Sequence, residues 1–265
     1  KPSEVYKPGA TLDRTLEYGG KTVPIYRDRP LNVFSDVDFI WTGEENENQR
    51  RLEYLGGEFR TRYGIDVSSF QGEIDWDAVA DDNIDFAMVR VGFRGTGTGS
   101  LNTDKYYEQN IRGAMRAGLE TGVYFFAQAV TVEEAIEEAD YVISLLDGLD
   151  INGPVAYDWE MHDSTYRVYG TSPEMATACA VAFCERIKDA GYTPMVYGGT
   201  YVTYMKYDQG ALADYLSWYP EYKSEKSEKL CPTLVYHMDY WQFSSSRAVA
   251  GINGRVDMNI QFIRR

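Results

Sequence analysis

Pro154-Val-Ala-Tyr-Asp158-Trp-Glu160 reads as a β-strand, a short apolar run with a β-branched residue and aromatics. Gly153-Pro154 opens it, and the polar His162-Asp163-Ser164 closes it. Alternate side chains of a strand share a face, so Asp158 and Glu160 point the same way. Their Cα atoms are expected about 6.6 Å apart, from a rise of roughly 3.3 Å per residue. Two carboxyls held side by side split their affinities for protons, one staying ionised while the other keeps a proton near neutrality. Such a pair is equipped to cleave a glycosidic bond. Two solvated acids at an exposed strand end would carry the same letters.

The strand's neighbours decide the fold. Upstream, Gly64-Ile-Asp66-Val-Ser68, Phe86 to Val91 and Gly122 to Phe126 read as strands. They alternate with helices: a short one from Ile74 capped by Asp75, one over Asp104–Ala117, and one over Val132–Leu146 capped by Thr131. Downstream, Ser172-Pro173 opens a helix to Ala190, and Pro194-Met-Val-Tyr197 is a fifth strand. Strand and helix in alternation mean parallel strands with crossover helices. Beyond about residue 200 the long helices disappear, and Leu216–Tyr219, Val235–Phe243 and Val256–Ile260 read as strands. Eight strands with so few helices suit a closed α/β barrel, TIM-like but irregular, of the form (β/α)5(β)3; an open sheet would need helices over both faces.

Residues 1–62 differ. They are polar, with a charged cluster at Gly43–Arg51, and Gly19-Gly20 between Leu16-Glu-Tyr and Lys-Thr-Val marks a two-residue hairpin. Val33-Phe34 and Phe39-Ile40-Trp41 supply apolar anchors, too few for a separate core. The segment is expected to be an N-terminal extension packing on a barrel formed by 63–265.

Composition narrows the function. With 26 Lys and Arg against 41 Asp and Glu, the net charge is -15, which argues against nucleic acid and gives no attraction to an anionic wall or membrane surface. No apolar run reaches the ~18 residues of a membrane span. The chain starts at Lys1 without a signal segment in view, so a processed or trimmed N-terminus is expected. Cys179, Cys184 and Cys231 form no disulfide or metal-ligand pattern, and His162 and His237 alone count against a His-based metal site or a Ser/His/Asp triad. Neither cofactor nor metal is expected, and a monomer is.

Barrel active sites gather at the C-terminal ends of the strands. Asp66, Asp158, Glu160 and Asp257 all fall within or at the ends of the expected strands, and four acids converging on one mouth are hard to explain structurally.

Asp66-Val-Ser-Ser-Phe-Gln-Gly-Glu-Ile-Asp-Trp76 resembles the opening motif of glycoside hydrolase family 25, and Tyr157-Asp158-Trp-Glu160 its Asp-x-Glu strand. Tyr240-Trp-Gln-Phe-Ser-Ser245 and Gly254-Arg-Val-Asp257-Met-Asn259 are similar to its last two strands, so the resemblance spans about 63–265. It implies a secreted or cell-surface lysozyme, an N-acetylmuramidase. Such an enzyme cuts the β-1,4 bond between N-acetylmuramic acid and N-acetylglucosamine in peptidoglycan, with retention of configuration. Carried over, Glu160 is the general acid and base, and Asp158 the nucleophile or the residue that steadies a reactive acetamido group. Asp66 and Asp257 complete the acidic ring. Tyr197, Gln242 and Tyr124 are the candidate substrate-binding residues, with packing the plainer reading of Gln242 and of Trp241. Two other readings remain: a catalytically inactive glycan-binding barrel, and a family 18 chitinase. The chitinase pattern Asp-x-x-Asp-x-Asp-x-Glu fails at Gly153 and Ala156.

Overall fold

The structure, a computed structural model, describes residues 1, 4–43 and 50–265; the centre of the Gly43–Arg51 charged cluster lies outside the described residues. Strands β1 (Leu12–Tyr18) and β2 (Lys21–Tyr26) form the expected hairpin, and β3 (Phe39–Thr42) pairs with β4 (Arg51–Tyr54). Gly19 and Gly20 close the hairpin at φ of 56° and 74°, the left-handed pair that a tight turn between twisted strands requires.

The barrel begins with β5 (Phe59–Val67), which straddles residue 62, and continues through α1 (Trp76–Asp81) and β6 (Phe86–Arg94). A short β7 (Leu101–Thr103) hangs on the edge of β6. Then come α2 (Tyr107–Arg116), β8 (Glu120–Ala127), α3 (Val132–Leu145), β9 (Val155–Trp159), α4 (Pro173–Asp189), β10 (Pro194–Tyr197) and α5 (Thr200–Met205). The last strands are β11 (Leu216–Pro220), β12 (Tyr240–Arg247) and β13 (Val256–Arg264). The caps are those expected: Asp75, Thr131 and Ser172 each accept a hydrogen bond from the backbone N–H three residues on.

The sheet closes through the pairing of β5 with β6, in the order β5-β13-β12-β11-β10-β9-β8-β6. All neighbours are parallel except that β13 runs antiparallel to both β12 and β5. The connection 248–255 is too short for a parallel crossover, which takes a dozen or more residues. The α/β, TIM-like barrel class is therefore the observed one, as a mixed, closed, eight-stranded barrel.

One expected strand is shorter than its sequence pattern. Val235–Asp239 is irregular, and β12 starts only at Tyr240. The backbone there is engaged by the N-terminal segment instead: Asn32 N–H donates to Val235 O at 2.8 Å, His237 N–H donates to Pro30 O at 2.9 Å, and Leu31 bridges Tyr236.

Side chains alternate between the lumen and the outside. Phe86, Met88, Ala156, Met195, Trp218 and Tyr240 fill the lumen, and a larger core lies between barrel and helices. Cys179, Cys184 and Cys231 are free and buried. Among the described residues no helix is long and apolar enough to cross a membrane.

The segment before β5 makes many contacts with the barrel. Phe34 lies 4.4 Å (ring centroids) from Phe262, and Phe39 lies 5.4 Å from Trp241. Arg29 is buried and donates to Gln209 Oε1 and to the carbonyls of Leu212 and Tyr215 at 3.2–3.3 Å.

Candidate active site at the barrel mouth

Alternation along β9 decides what faces the lumen. Tyr157 and Trp159 point outward, Tyr157 against Phe183 of α4 (4.8 Å), while the Trp159 indole donates to Ala129 O at 3.1 Å. Ala156 and Asp158 point inward, and Asp158 lies between Phe126 on β8 and Tyr197 on β10. Glu160 takes the next inward place just beyond the strand end. Its backbone carbonyl is fixed there by the Gln128 amide, which donates at 2.8 Å.

On the opposite wall, the register of β5 and β13 sets Asp66 directly across from Asp257. Like charges so placed repel, which favours a shared proton. A hydrogen-bonded chain holds Asp66. Its Oδ2 accepts from the Gln242 and Asn259 side-chain amides, both at 2.8 Å. Gln242 Oε1 in turn accepts from Tyr197 OH (3.2 Å) and Tyr222 OH (3.1 Å), and Asn259 Oδ1 from the Trp218 indole (2.8 Å).

These strand ends surround a cavity of about 350 Å³. All seven residues singled out from the sequence line it: Asp66, Asp158, Glu160, Asp257, Tyr124, Tyr197 and Gln242. Trp241, by contrast, is fully buried outside the barrel, where its indole donates to Glu221 O at 3.0 Å. A second cleft of about 390 Å³ shares Glu160, His162, Tyr197 and Tyr222 with the first and continues past Gly199 and Tyr201. Together they make a groove that passes over Glu160.

Burial and mutual repulsion raise the proton affinity of the acids. Asp158 is held well above the usual carboxylate range, first by burial and then by the charge of Glu160. Burial also raises Asp66, opposed by the Asn259 and Gln242 hydrogen bonds. Asp257 is pushed up to about 8 by burial and by the charge of Asp66. The mouth therefore holds protons at neutral pH on carboxyls that would lose them in water. Asp158 shares a side-chain hydrogen bond with Glu160, while its buried Oδ1 receives no N–H or hydroxyl donor from the rest of the described residues. A buried acceptor left open is an invitation to a ligand N–H or O–H.

Residues not singled out from the sequence also line the cavity, among them Arg90, His162, Tyr222 and Phe70. Arg90 is ion-paired to Asp104 at 2.8 Å, lies over the Phe70 ring at 5.1 Å and draws the proton affinity of Asp158 down. Its signal was present: an Arg at an inward position of the otherwise apolar strand Phe86-Ala-Met-Val-Arg-Val91 needs a polar lumen. Tyr222 sits on the connection after β11 and has no such signal.

Residues 65–252 match the model of the glycosyl hydrolases family 25. The autolytic lysozyme of Clostridium acetobutylicum is 26% identical over 197 residues, covering 74% of this chain and 54% of that protein. Lysozyme M1 of Streptomyces globisporus is 27% identical over 201 residues, covering 74% of this chain and 66% of that one. The chain thus spans about half to two thirds of the length of these relatives. Among solved structures, the spore cortex lytic enzyme SleM of Clostridium perfringens has a similar fold. It matches with a TM-score of 0.65 and 22% identity over 76% of this chain and 67% of that one. The modular autolysin LytC of Streptococcus pneumoniae matches with a TM-score of 0.63 and 24% identity, over 93% of this chain and 57% of that one. With the family model covering well over half of its residues and the acids of its motifs gathered at one barrel mouth, this chain belongs to glycosyl hydrolase family 25.

Proposed function

We propose that this chain is a peptidoglycan hydrolase, a lysozyme that cuts the β-1,4 bond between N-acetylmuramic acid and N-acetylglucosamine with retention of configuration. Its substrate places its work outside the cytoplasmic membrane. The observation that carries the reading is the Asp158–Glu160 pair at the mouth, two residues apart on one face, with Asp158 buried and one of its oxygens unpartnered. The lysozyme names of two relatives agree with it.

Glu160, at the groove's centre and 26% exposed, is the proton donor to the leaving oxygen and then the base that activates water. Asp158 is too buried to be an easy nucleophile, and its open Oδ1 suits the N–H of the substrate's 2-acetamido group. That contact favours the ionised form of Asp158 and leaves the pair's proton with Glu160, where protonating the glycosidic oxygen requires it. The acetamido oxygen then attacks the anomeric carbon, and water opens the resulting ring from the same face as the departed sugar. Asp66 and Asp257 set the charge of the site and hold sugar hydroxyls. Tyr197 and Tyr124 line the substrate's path. Most of the hydrogen-bonding capacity of Gln242 goes to Asp66, Tyr197 and Tyr222, so it reaches the substrate chiefly through them.

Retention by this route predicts the β-anomer as the first product. Proton NMR in the first minutes of hydrolysis, before mutarotation, reads it directly. Initial α-anomer would overturn the assignment and point to Asp66 or Asp257 as a base acting from the opposite face. Mass spectrometry of the released fragments checks the bond cut. The absence of turnover on purified peptidoglycan would favour the inactive glycan-binding reading.

A further inference from the structure

His162 has no part in the chemistry above, yet its Nε2 lies 2.9 Å from Glu160 Oε2. The imidazole is 62% exposed and borders both halves of the groove, with its ring edge-on to Tyr166 (5.3 Å, 73°). The neighbouring carboxylate does not draw it away, because Asp163 accepts from the Thr165 backbone N–H (2.7 Å) and hydroxyl (2.6 Å).

We propose that His162 is a positioning residue for the hydrolytic reaction: it donates Nε2–H to Glu160 Oε2, leaving the other oxygen to face the glycosidic bond, and its positive charge sets how far into acid the enzyme works. The proposal rests on the hydrolase reading above. An unanchored carboxyl samples several rotamers, and one anchored oxygen removes that freedom before substrate arrives. The charge acts on the proton count. The working state has one proton on the Asp158–Glu160 pair, and a second proton silences it. A cation beside Glu160 opposes that second proton. The other charges facing the pair are the carboxyls of Asp66 and Asp257, Asp163 on the same loop, and the Arg90 guanidinium. The phenols of Tyr166, Tyr197 and Tyr222 are all raised and do not titrate in the acid range.

The sign follows: losing the cation makes the second proton easier to add, so the acid limb of the kcat/KM profile moves to higher pH. For His162→Gln, whose amide keeps the hydrogen bond, the plateau kcat should stay within about threefold of wild type. Its acid limb should move up by about half a pH unit, the effect of a partly exposed ion pair. For His162→Ala the same movement is expected with a further loss of about tenfold in kcat, one hydrogen bond to a charged group, and little change in KM. A second readout needs no turnover: in Glu160→Ala the NMR resonances of the His162 ring nitrogens should change as the hydrogen bond is lost, with His237 as the internal reference. Unchanged His162 resonances overturn the contact whether or not the chain hydrolyses peptidoglycan, so the two readings fail separately. With turnover in hand, an acid limb unmoved in His162→Gln, or a wild-type kcat in His162→Ala, overturns the role. Should the His162→Ala variant not fold, the Gln variant and the NMR comparison decide.

Discussion

Replacing Asp257 by Asn tests the electrostatics of the barrel mouth. Asp257 faces Asp66 across the β5–β13 register, and its carboxyl is pushed up to about 8 from an ordinary value of 3.8. The unfolded chain loses that proton near pH 4, whereas the folded chain keeps it until about pH 8. Between those values the folded state binds more protons, so stability falls as pH rises and levels off above about 8. At 1.36 kcal/mol per unit the ceiling over four units is about 5–6 kcal/mol. Water reaches Asp257 and two amides already support charge on Asp66, so we expect on the order of 2 kcal/mol. Asn has the same shape, keeps an N–H for Asp66 and never ionises. At pH 5 the variant should therefore melt within about 1 °C of wild type. At pH 8 it should melt about 4–8 °C higher, given about 2–4 °C per kcal/mol for a chain of this size.

Scanning calorimetry on both proteins at pH 5, 6, 7 and 8, at one ionic strength, measures this. The net charge of -15 also weakens the fold as pH rises, and so does buried Glu138, raised to about 7. Both act nearly alike in the two proteins and cancel in the difference. A difference in melting temperature that does not change with pH, or a variant less stable at pH 8, would refute the shared-proton account.

Three further outcomes are expected. Glu160→Gln keeps size and hydrogen bonding but cannot deliver a proton, so kcat should drop at least 10²-fold with melting unchanged; a variant above a tenth of the wild-type rate removes Glu160 from its role. Arg29→Ala leaves the carbonyls of Leu212 and Tyr215 unpaired and should cost roughly 2–4 kcal/mol, while limited proteolysis of wild type should spare most of residues 1–62. Rapid trimming to about Tyr63 with unchanged melting and activity would show the segment to be dispensable.

Much of the frame was legible because local chemistry and tertiary placement agree along it. Alternation in Val155–Trp159 fixes which residues face the lumen, and the Asp75, Thr131 and Ser172 caps fix helix starts. Val235–Asp239 misled because its apolar, β-branched letters fit a strand, while its backbone partners are residues 30–32, some 200 positions away. No local rule anticipates such a partner. The same limit applies to the site. Asp66 and Asp257 are readable as inward acids, but that they oppose each other follows only from the antiparallel return of β13. His162 was readable as the end of a strand and not as a partner of Glu160, because the contact depends on the loop's path.

The N-terminal segment answers a question the sequence posed without resolving. Strands of an α/β barrel are buried on both faces, normally with helices outside. After α5 the helices stop, yet β12 and β13 keep apolar residues on their outer face: Trp241, Phe243 and Phe262, all buried. Something must cover them, since exposing three such side chains would forfeit several kcal/mol. Phe39 packs on Trp241, Trp41 lies 6.0 Å from Phe243 and 4.3 Å from the Arg247 guanidinium, and Phe34 stacks near Phe262. Residues too few to form a core of their own thus complete the barrel's outer one on the flank where helices are missing. The strands they brace carry Gln242, Asp257 and Asn259 inward, so packing on the outside holds the register on which the facing acids depend.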